Sequence, residues 1–253
     1  AALHPERGGI IPGLSGRLHR FRTIFRGTSE LTNNRFKLDA YFFQCLACRR
    51  LGRVSGDVLL QLLTGTADGE PLVVEQVTDL ADEFDITSCQ ELPVDHGFVV
   101  PMQLFWPGAP NNPDMPRAVP ISANTVQHPI PTLNRALNFG KALRKALLSF
   151  PEDAKIVVLG TGGLSHQLDG QRAGFINKEF DAYCLENIVH NPEELTKITR
   201  QELVKQAGAQ GTEFLMWMMM RGALGDEETE ITRNYHIPIS NTAAGTLLLE
   251  CAA

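Results

Sequence analysis

Residues 154–160, AKIVVLG, form a short, uninterrupted apolar run that is rich in β-branched side chains. Such a run is typical of a strand that is buried within a sheet. It ends in the glycine-rich turn G-T-G-G-L-S-H, which presents His166 just past the strand. Helical patterns flank the strand on both sides, and alternating strands and helices are typical of α/β proteins. We therefore predict an α/β fold: a single domain with a central mixed sheet covered by helices.

Local patterns place further elements along the chain. Apolar residues at helical spacing predict helices at 72–85, 133–150, 177–189, 191–208 and 211–225. Short apolar runs predict strands at 86–89 and 118–124 and a turn followed by a strand within 236–250. The run DVLLQLLTG, at 57–65, is read as a short helix. Asn191 and Pro192 are suited to the N-cap and the first position of a helix.

The composition narrows the class of protein. With 253 residues the chain is long enough for one large α/β domain. A net charge of −6 gives no reason to expect nucleic-acid binding. We expect no membrane contact, because no apolar stretch approaches the ~20 residues that span a bilayer, and we expect no signal peptide. Five scattered cysteines favour a reducing compartment, so we expect a cytoplasmic protein.

The glycine turn does not match the common nucleotide or nucleophile motifs. It lacks the third glycine of G-x-G-x-x-G and the lysine of a P-loop. Ser165 stands between Leu164 and His166, so the turn is not the G-x-S-x-G elbow of a hydrolase either. A histidine at the end of a strand, where α/β proteins hold their sites, is suited to take and return a proton near neutral pH. The alternative is a turn histidine whose hydrogen bonds are already satisfied.

Two further side chains carry chemistry. Glu213 precedes the strongly apolar run FLMWMMM, and a carboxylate there is costly unless it is paired, hydrogen-bonded or bound to a metal. It is read either as a metal ligand or as a charge that complements a helix N-terminus. His96, in VDHGF, is placed at a predicted strand end, and it contributes to a site if it converges with His166.

These residues occur within a longer resemblance. The stretches that carry it include DEFDI, VDHG, NPEEL, MWMMMRGAL and HIPISNTA, and above all VVLGTGGLSHQLDGQRAGFINKEFD. From about 82 to 249 the chain resembles the class III extradiol ring-cleaving dioxygenases. That family includes the catalytic beta subunits of protocatechuate 4,5-dioxygenase and the gallate dioxygenases. The similarity covers about two-thirds of the chain.

The resemblance implies a function and a set of site residues. Members of the family use a non-haem iron(II), held by two histidines and one glutamate, to cleave a catechol-type aromatic acid with dioxygen. By resemblance, His166 is the catalytic acid and base, and Glu213 is an iron ligand. His96 matches a second catalytic histidine, and Ser240 matches a serine that contacts the substrate. The implied substrates are protocatechuate or gallate.

The N-terminal part departs from the family. The resemblance would place two iron-binding histidines there, in S-H-x-P and N-D-H motifs, and neither motif is present; His4 is the remaining candidate metal ligand. Residues 1–75 match poorly, and residues 1–60 hold ten basic and four acidic side chains. One hypothesis is that residues 1–75 are partly translated out of frame. The other is that this segment is truly divergent and that the domain has lost iron.

Two other functions follow from this departure. One is a non-catalytic, metal-free member of the fold that binds an aromatic acid or a partner subunit. The other is a zinc hydrolase that uses Glu213, His96 and His166. The resemblance also implies a small helical alpha subunit as a separate partner, with assembly into a homo-oligomer. Because the chain ends soon after TLLLE, we expect no such subunit to be fused behind the domain.

Overall fold

The structure of the protein is a computed structural model. It describes residues 44–50, 57–63, 84, 96–126, 129–149, 155–226 and 228–251. These residues belong to one compact unit that spans Asp39–Ala253. The prediction that the whole chain forms a single domain stays a prediction, because residues 1–43 lie outside the described part.

Strands and helices alternate along most of the described chain. The strands are β1 (Gln44–Arg50), β2 (Asp57–Leu63), β3 (Arg117–Ser122), β4 (Lys155–Thr161), β5 (Glu228–His236) and β6 (Ala244–Cys251). The α-helices are α1 (His96–Phe105), α2 (Leu133–Ser149), α3 (Lys178–His190), α4 (Pro192–Leu195), α5 (Arg200–Ala207) and α6 (Phe214–Ala223). Short 3-10 helices, each of one turn, lie at Gly170–Arg172 and Gly211–Glu213.

The six strands form one mixed sheet in the order β3-β2-β4-β1-β6-β5. β2 is parallel to β3 and β4, β1 is antiparallel to β4 and parallel to β6, and β5 is antiparallel to β6. In this register Gln44 is opposite both Thr161 and Thr246. The end of β4 and the start of β6 therefore lie at the same edge of the sheet. The predicted mixed sheet is confirmed.

β4 is buried on both faces. Ile156 and Val158 belong to the core that α2 and α6 complete. Leu159 instead packs with Met102 of α1, and Val157 packs against the same cluster. Alternate residues of a strand point to opposite faces, so α1 covers one face of the sheet and α6 covers the other. This is the physical reason for the continuous apolar run in the sequence.

All ten residues of α6 are buried, as the sequence predicts. The helix packs along α2 and over β4. The approach to α2 is close: a Cβ added at Gly140 would lie 2.0 Å from the carbonyl oxygen of Met219. At β4, a Cβ added at Gly160 would lie 2.8 Å from the carbonyl oxygen of Met216. This packing brings the N-terminal end of α6, with Glu213, over the end of β4.

Several predicted elements are confirmed with small changes in their bounds. The structure confirms the strands predicted at 118–124 and 154–160, the terminal strand within 236–250, and the helices predicted at 133–150, 177–189 and 211–225. The helix predicted at 72–85 and the strand predicted at 86–89 lie outside the described residues, with the exception of Phe84. Among the described helices, none combines the length and the apolar character that a bilayer crossing requires.

The helix predicted at 57–65 is wrong, because Asp57–Leu63 is strand β2. Its apolar residues are interrupted only by Gln61, and β2 lies between β3 and β4. A strand inside a sheet has the same sequence signature as a short buried helix, so periodicity alone does not separate the two. The single helix predicted at 191–208 is also wrong. It is divided into α4 and α5, because the Thr199 side chain accepts a hydrogen bond from the backbone N–H of Glu202 and starts a new helix.

The structure also changes the predicted placement of His96. His96 is the first residue of α1 rather than the end of a strand. Phe98, Met102 and Phe105 recur at helical spacing and pack in the cluster with Leu159. A helical apolar face therefore begins directly after this histidine.

Candidate active site

The turn after β4 folds tightly against the start of α6. Gly162 has a φ of 129°, a conformation that residues with a Cβ rarely adopt. A Cβ at this position would also lie 2.7 Å from the Cβ of Glu213. The indole Nε1–H of Trp217 donates to the carbonyl oxygen of Gly162 at 3.2 Å. Glycine is thus required here for two reasons, and α6 holds the turn in place.

Glu213 reaches back to this turn. It ends the 3-10 turn before α6, and its Oε2 accepts a hydrogen bond from the backbone N–H of Gly163 at 3.0 Å. Its side chain makes no capping hydrogen bond to α6, although it occupies the N-cap position. Within the described residues, Oε1 accepts no hydrogen bond. One carboxylate oxygen therefore fixes the side chain against the turn.

His166 is held at the other end of the same turn. It is only 3% exposed, and its Nδ1 lies 3.0 Å from the carbonyl oxygen of Leu164. A carbonyl oxygen only accepts, so Nδ1 carries the hydrogen and Nε2 of the neutral ring has the lone pair. The backbone N–H of His166 donates to the carbonyl oxygen of Ala207 at 2.8 Å. The imidazole thus has a defined tautomer in a site that is nearly closed to bulk water.

The connection between α5 and α6 contacts both ends of the turn. Gly211 donates its N–H to the carbonyl oxygen of His166 at 3.3 Å, and Glu213 follows two residues later. A Cβ added at Gly208, where φ is 87°, would lie 2.3 Å from that same carbonyl oxygen. Glu213 and His166 thus both border one turn, because Glu213 accepts from Gly163 and His166 follows three residues later.

The loop between β5 and β6 completes the surroundings of His166. Thr242 pairs with His166 in an isolated antiparallel bridge, and the N–H of Ala243 donates to the carbonyl oxygen of Ser165 at 3.1 Å. The hydroxyl oxygens of Ser240 and Thr242 are buried and have no hydrogen-bond partner among the described residues. Buried polar atoms are normally satisfied, so two unsatisfied hydroxyls in one loop are notable. Both are suited to bind a polar group of a ligand.

A buried carboxylate lies beneath the turn. Asp181 is 1% exposed, and its Oδ1 accepts from the N–H of Ser165 at 2.8 Å. Its Oδ2 accepts from the hydroxyl of Ser165 at 2.6 Å and from the hydroxyl of Tyr235 at 2.8 Å. Burial raises the pKa of Asp181, and the hydrogen bonds from Ser165 and Tyr235 oppose that rise. Burial, together with the hydrogen bond to Asp181, raises the pKa of Tyr235.

Asp181 was not identified from the sequence, although a signal is present. Asp181, Cys184, Leu185 and Ile188 have the spacing of one helical face, and all four are buried. An acid at an apolar position of an amphipathic helix indicates a carboxylate with specific partners. Its partners Ser165 and Tyr235 carry no such signal.

The other predicted site residues are placed differently. Ser240 belongs to the loop described above, next to the bridge that joins Thr242 to His166. His96 is exposed at the start of α1, and none of the contacts described above involves it. His4 lies outside the described residues.

A metal site requires several His, Cys, Asp or Glu side chains close together. Within the part of the chain that the structure describes, no three His, Cys, Asp or Glu side chains form a group that could hold a metal ion. The trio Glu213, His96 and His166, which the zinc-hydrolase reading requires, therefore does not form such a group. The described residues therefore do not by themselves complete a metal site.

Most of the chain matches a known protein family. Residues 56–245 match the family described as the catalytic LigB subunit of aromatic ring-opening dioxygenase. The matched segment contains the turn, Glu213 and Ser240.

Two relatives show how far the similarity extends. The chain is 41% identical over 171 residues to a gallate dioxygenase of Pseudomonas putida, which is 68% of this chain and 49% of that protein. It is 30% identical over 124 residues to a 2,3-dihydroxyphenylpropionate/2,3-dihydroxicinnamic acid 1,2-dioxygenase of Photorhabdus laumondii, which is 49% of this chain and 37% of that protein. The chain thus spans about half the length of the first relative and less of the second.

Proposed function

This chain belongs to the family of catalytic LigB subunits of aromatic ring-opening dioxygenases, and on that premise we propose that it opens the ring of a catechol-type aromatic acid with dioxygen. The reaction is extradiol cleavage. It breaks the ring bond between one carbon of the diol and the adjacent ring carbon outside the diol. Protocatechuate and gallate are the proposed substrates. The observation that carries the proposal is that Glu213 accepts from Gly163, in the same glycine turn that carries His166, within the matched segment.

His166 is proposed as the acid and base of the reaction. Its Nδ1 is engaged with the carbonyl oxygen of Leu164, which leaves Nε2 to receive a proton. In the proposed reaction Nε2 takes a proton from a substrate hydroxyl and later returns it. A buried imidazole suits this role because bulk water does not compete for the proton.

Ser240 is proposed to bind the substrate. Its buried hydroxyl oxygen has no partner among the described residues, and the same holds for Thr242. Thr242 is paired directly with His166, and the Cβ atoms of such pairs lie about 5 Å apart. A ligand oxygen bound by these hydroxyls would therefore be close to the imidazole.

Iron(II) is the proposed cofactor, and Glu213 is the proposed ligand from the described part of the chain. Its Oε1 is the acceptor that supports this assignment. Because the described side chains do not complete a metal site, further ligands for iron(II) would have to come from outside the described residues. His4 stays a proposed ligand outside the described residues.

The remaining finer assignments are also proposals. His96 is proposed as a second catalytic histidine by resemblance alone. A small helical partner subunit, a homo-oligomeric assembly and a cytoplasmic location rest on the resemblance and the composition.

A second candidate function is binding without turnover. The observation that favours it is the incomplete set of metal ligands among the described side chains. Such a protein would bind an aromatic acid through Ser240 and its neighbours but would consume no dioxygen.

The two functions are separated by one set of measurements. The purified protein is loaded with iron(II), its iron content is measured, and oxygen uptake is followed with protocatechuate and with gallate. The enzyme predicts about one iron per chain and a ring-opened product, and His166→Ala is expected to lower the rate by about 100- to 10,000-fold. Binding of either acid without oxygen uptake or iron would instead establish the second function.

A further inference from the structure

The residue that precedes His166 is held through all of its hydrogen-bonding groups. Both the N–H and the hydroxyl of Ser165 contact the carboxylate of Asp181, at 2.8 and 2.6 Å. The carbonyl oxygen of Ser165 accepts from the N–H of Ala243 at 3.1 Å. Rotation of the peptide between Ser165 and His166 therefore breaks at least one buried hydrogen bond.

The direction of the central hydrogen bond follows from its neighbours. The backbone N–H of Asn177 donates to the hydroxyl oxygen of Ser165 at 2.8 Å. The hydroxyl hydrogen of Ser165 is then directed to Asp181, which accepts. With the hydroxyl of Tyr235 as a further donor, the carboxylate receives three hydrogen bonds. Three donors around two oxygens are best satisfied by the ionised carboxylate.

Burying a carboxylate among neutral donors costs free energy of folding. An apolar residue at the same position of α3 would avoid the cost of burying a charge. A charge on His166 also influences Asp181: burial is the largest cause of the raised pKa of Asp181, and a positive charge on His166 acts in the opposite direction. Asp181 and His166 are thus close enough for their charges to interact.

We propose that Asp181 is a positioning residue for His166: its carboxylate fixes Ser165, and through Ser165 it sets the place and orientation of the imidazole. The inference rests on the proposed function, in which His166 moves the proton. Tyr235 assists by holding Oδ2 of Asp181 from the side of β5. Asp181 acts on the placement of the ring through Ser165.

The test compares two buried carboxylates that are each changed to the amide. Asp181→Asn places an NH2 group where one of three donors needs an acceptor. Glu228→Gln is the matched control, because Glu228 is a buried partner of Arg221 and has no contact with the Ser165–His166 turn among those described. For both variants we would measure the melting temperature, kcat, KM and the NMR signals of the His166 ring, assigned with His166→Ala.

Asp181→Asn is expected to lower kcat by about 10- to 100-fold, as the loss of a residue that orients a functional group does, with KM within about 2-fold. The His166 ring signals should shift in the same variant. Glu228→Gln should leave both kcat and the ring signals near the wild-type values, even if its melting temperature falls as far. Equal effects of the two variants on kcat, or unchanged His166 signals in Asp181→Asn, would overturn the proposal.

Two milder variants keep the test decisive if Asp181→Asn does not fold. Tyr235→Phe removes one donor to Oδ2, and Ser165→Ala removes the hydroxyl but keeps the N–H. Each should shift the His166 signals and lower kcat by a few-fold; unchanged signals in both would refute the positioning role. If the wild-type protein opens no ring, the proposed function fails, whereas the ring signals still decide whether Asp181 positions His166.

Discussion

The two ends of α6 each carry a charged residue, and their surroundings differ. At the N-terminal end, Glu213 uses one oxygen to accept from Gly163, and its other oxygen accepts no hydrogen bond from the described residues. Near the C-terminal end, Arg221 is buried and donates in three directions. Among the described residues, Glu213 therefore has a partner for one of its two oxygens, whereas Arg221 has a partner for each of its three side-chain nitrogens.

The partners of Arg221 explain why it is tolerated in a buried helix. Its Nε donates to the carbonyl oxygen of Ile188 at 2.8 Å and its Nη1 to that of Gly225 at 3.1 Å. Its Nη2 forms an ion pair with the carboxylate of Glu228. Burial raises the pKa of Glu228, and the charge of Arg221 opposes that rise.

The comparison separates two uses of a charge on one apolar helix. Arg221, whose Nε, Nη1 and Nη2 each donate to a protein acceptor, ties neighbouring elements together and contributes to folding. Glu213, which uses one oxygen to accept from Gly163, is proposed to bind a ligand through the other. Substitutions at the two ends should therefore affect different measured quantities.

The largest effect is expected from Glu213→Gln. The amide oxygen can still accept from Gly163, so the free energy of unfolding should change by no more than about 1 kcal/mol. Ring opening should fall roughly a thousandfold or more, because a neutral amide is a poor ligand for iron(II). Oxygen uptake and thermal unfolding measure the two quantities. A variant with the wild-type rate would remove Glu213 from the site.

At the other end, Arg221→Met should act on stability instead. It leaves the carboxylate of Glu228 buried without its cation, which costs about 3–5 kcal/mol, or on the order of 10 °C in melting temperature. At temperatures where the variant is folded, kcat should stay within about 2-fold of wild type. Changing Glu228 to Met as well should restore part of the stability. A selective loss of kcat in Arg221→Met would contradict the contrast between the two ends.

A pair of glycine variants tests whether the N-terminal end depends on exact placement. Gly208 and Gly108 have nearly the same φ, 87° and 90°, so alanine strains both. Only at Gly208 would the new Cβ meet the carbonyl oxygen of His166, at 2.3 Å, whereas Gly108 has no atom within 4 Å. Each variant should lose roughly 1–3 kcal/mol, but Gly208→Ala alone should also lower kcat, by about 10-fold. Equal kcat values would show that the turn tolerates displacement.

The smallest effect is expected from Ser240→Ala. Loss of one hydroxyl contact should raise KM by about 2- to 10-fold and leave kcat within about 2-fold. Thr125→Val is the matched control, because the hydroxyl of Thr125 is also buried without a partner among the described residues. Steady-state kinetics with protocatechuate and gallate would measure the difference. If the control raises KM as much, Ser240 has no special contact with the substrate.

Elements with a strong local pattern could be predicted from the sequence. β4 reads as a buried strand because both of its faces are covered, and α6 reads as a buried helix because every side is apolar. The turn between them can be singled out from its glycines, His166 from its place on that turn, and Glu213 from the cost of a carboxylate beside an apolar run.

Features that depend on distant residues could not be predicted. The sequence of β2 does not predict a strand, because an apolar run broken only by Gln61 fits a central strand and a short helix equally well. β5 was missed because its bulge between Glu230 and Thr232 and its polar edge position obscure the alternation. The contact of Asp181 with Tyr235 joins positions 54 residues apart, and neither local sequence indicates the other.

The placement of β1 has a consequence for how the protein is made. β1 is the first described strand along the chain, yet it lies between β4 and β6, and Gln44 precedes Ala244 by 200 positions (244 − 44). During synthesis, one side of β1 stays unpaired until β6 has emerged from the ribosome. An unpaired strand edge can pair with other chains. Thr242 reaches His166 only when β6 has docked. The proposed site should therefore be complete only after β6 has joined the sheet beside β1.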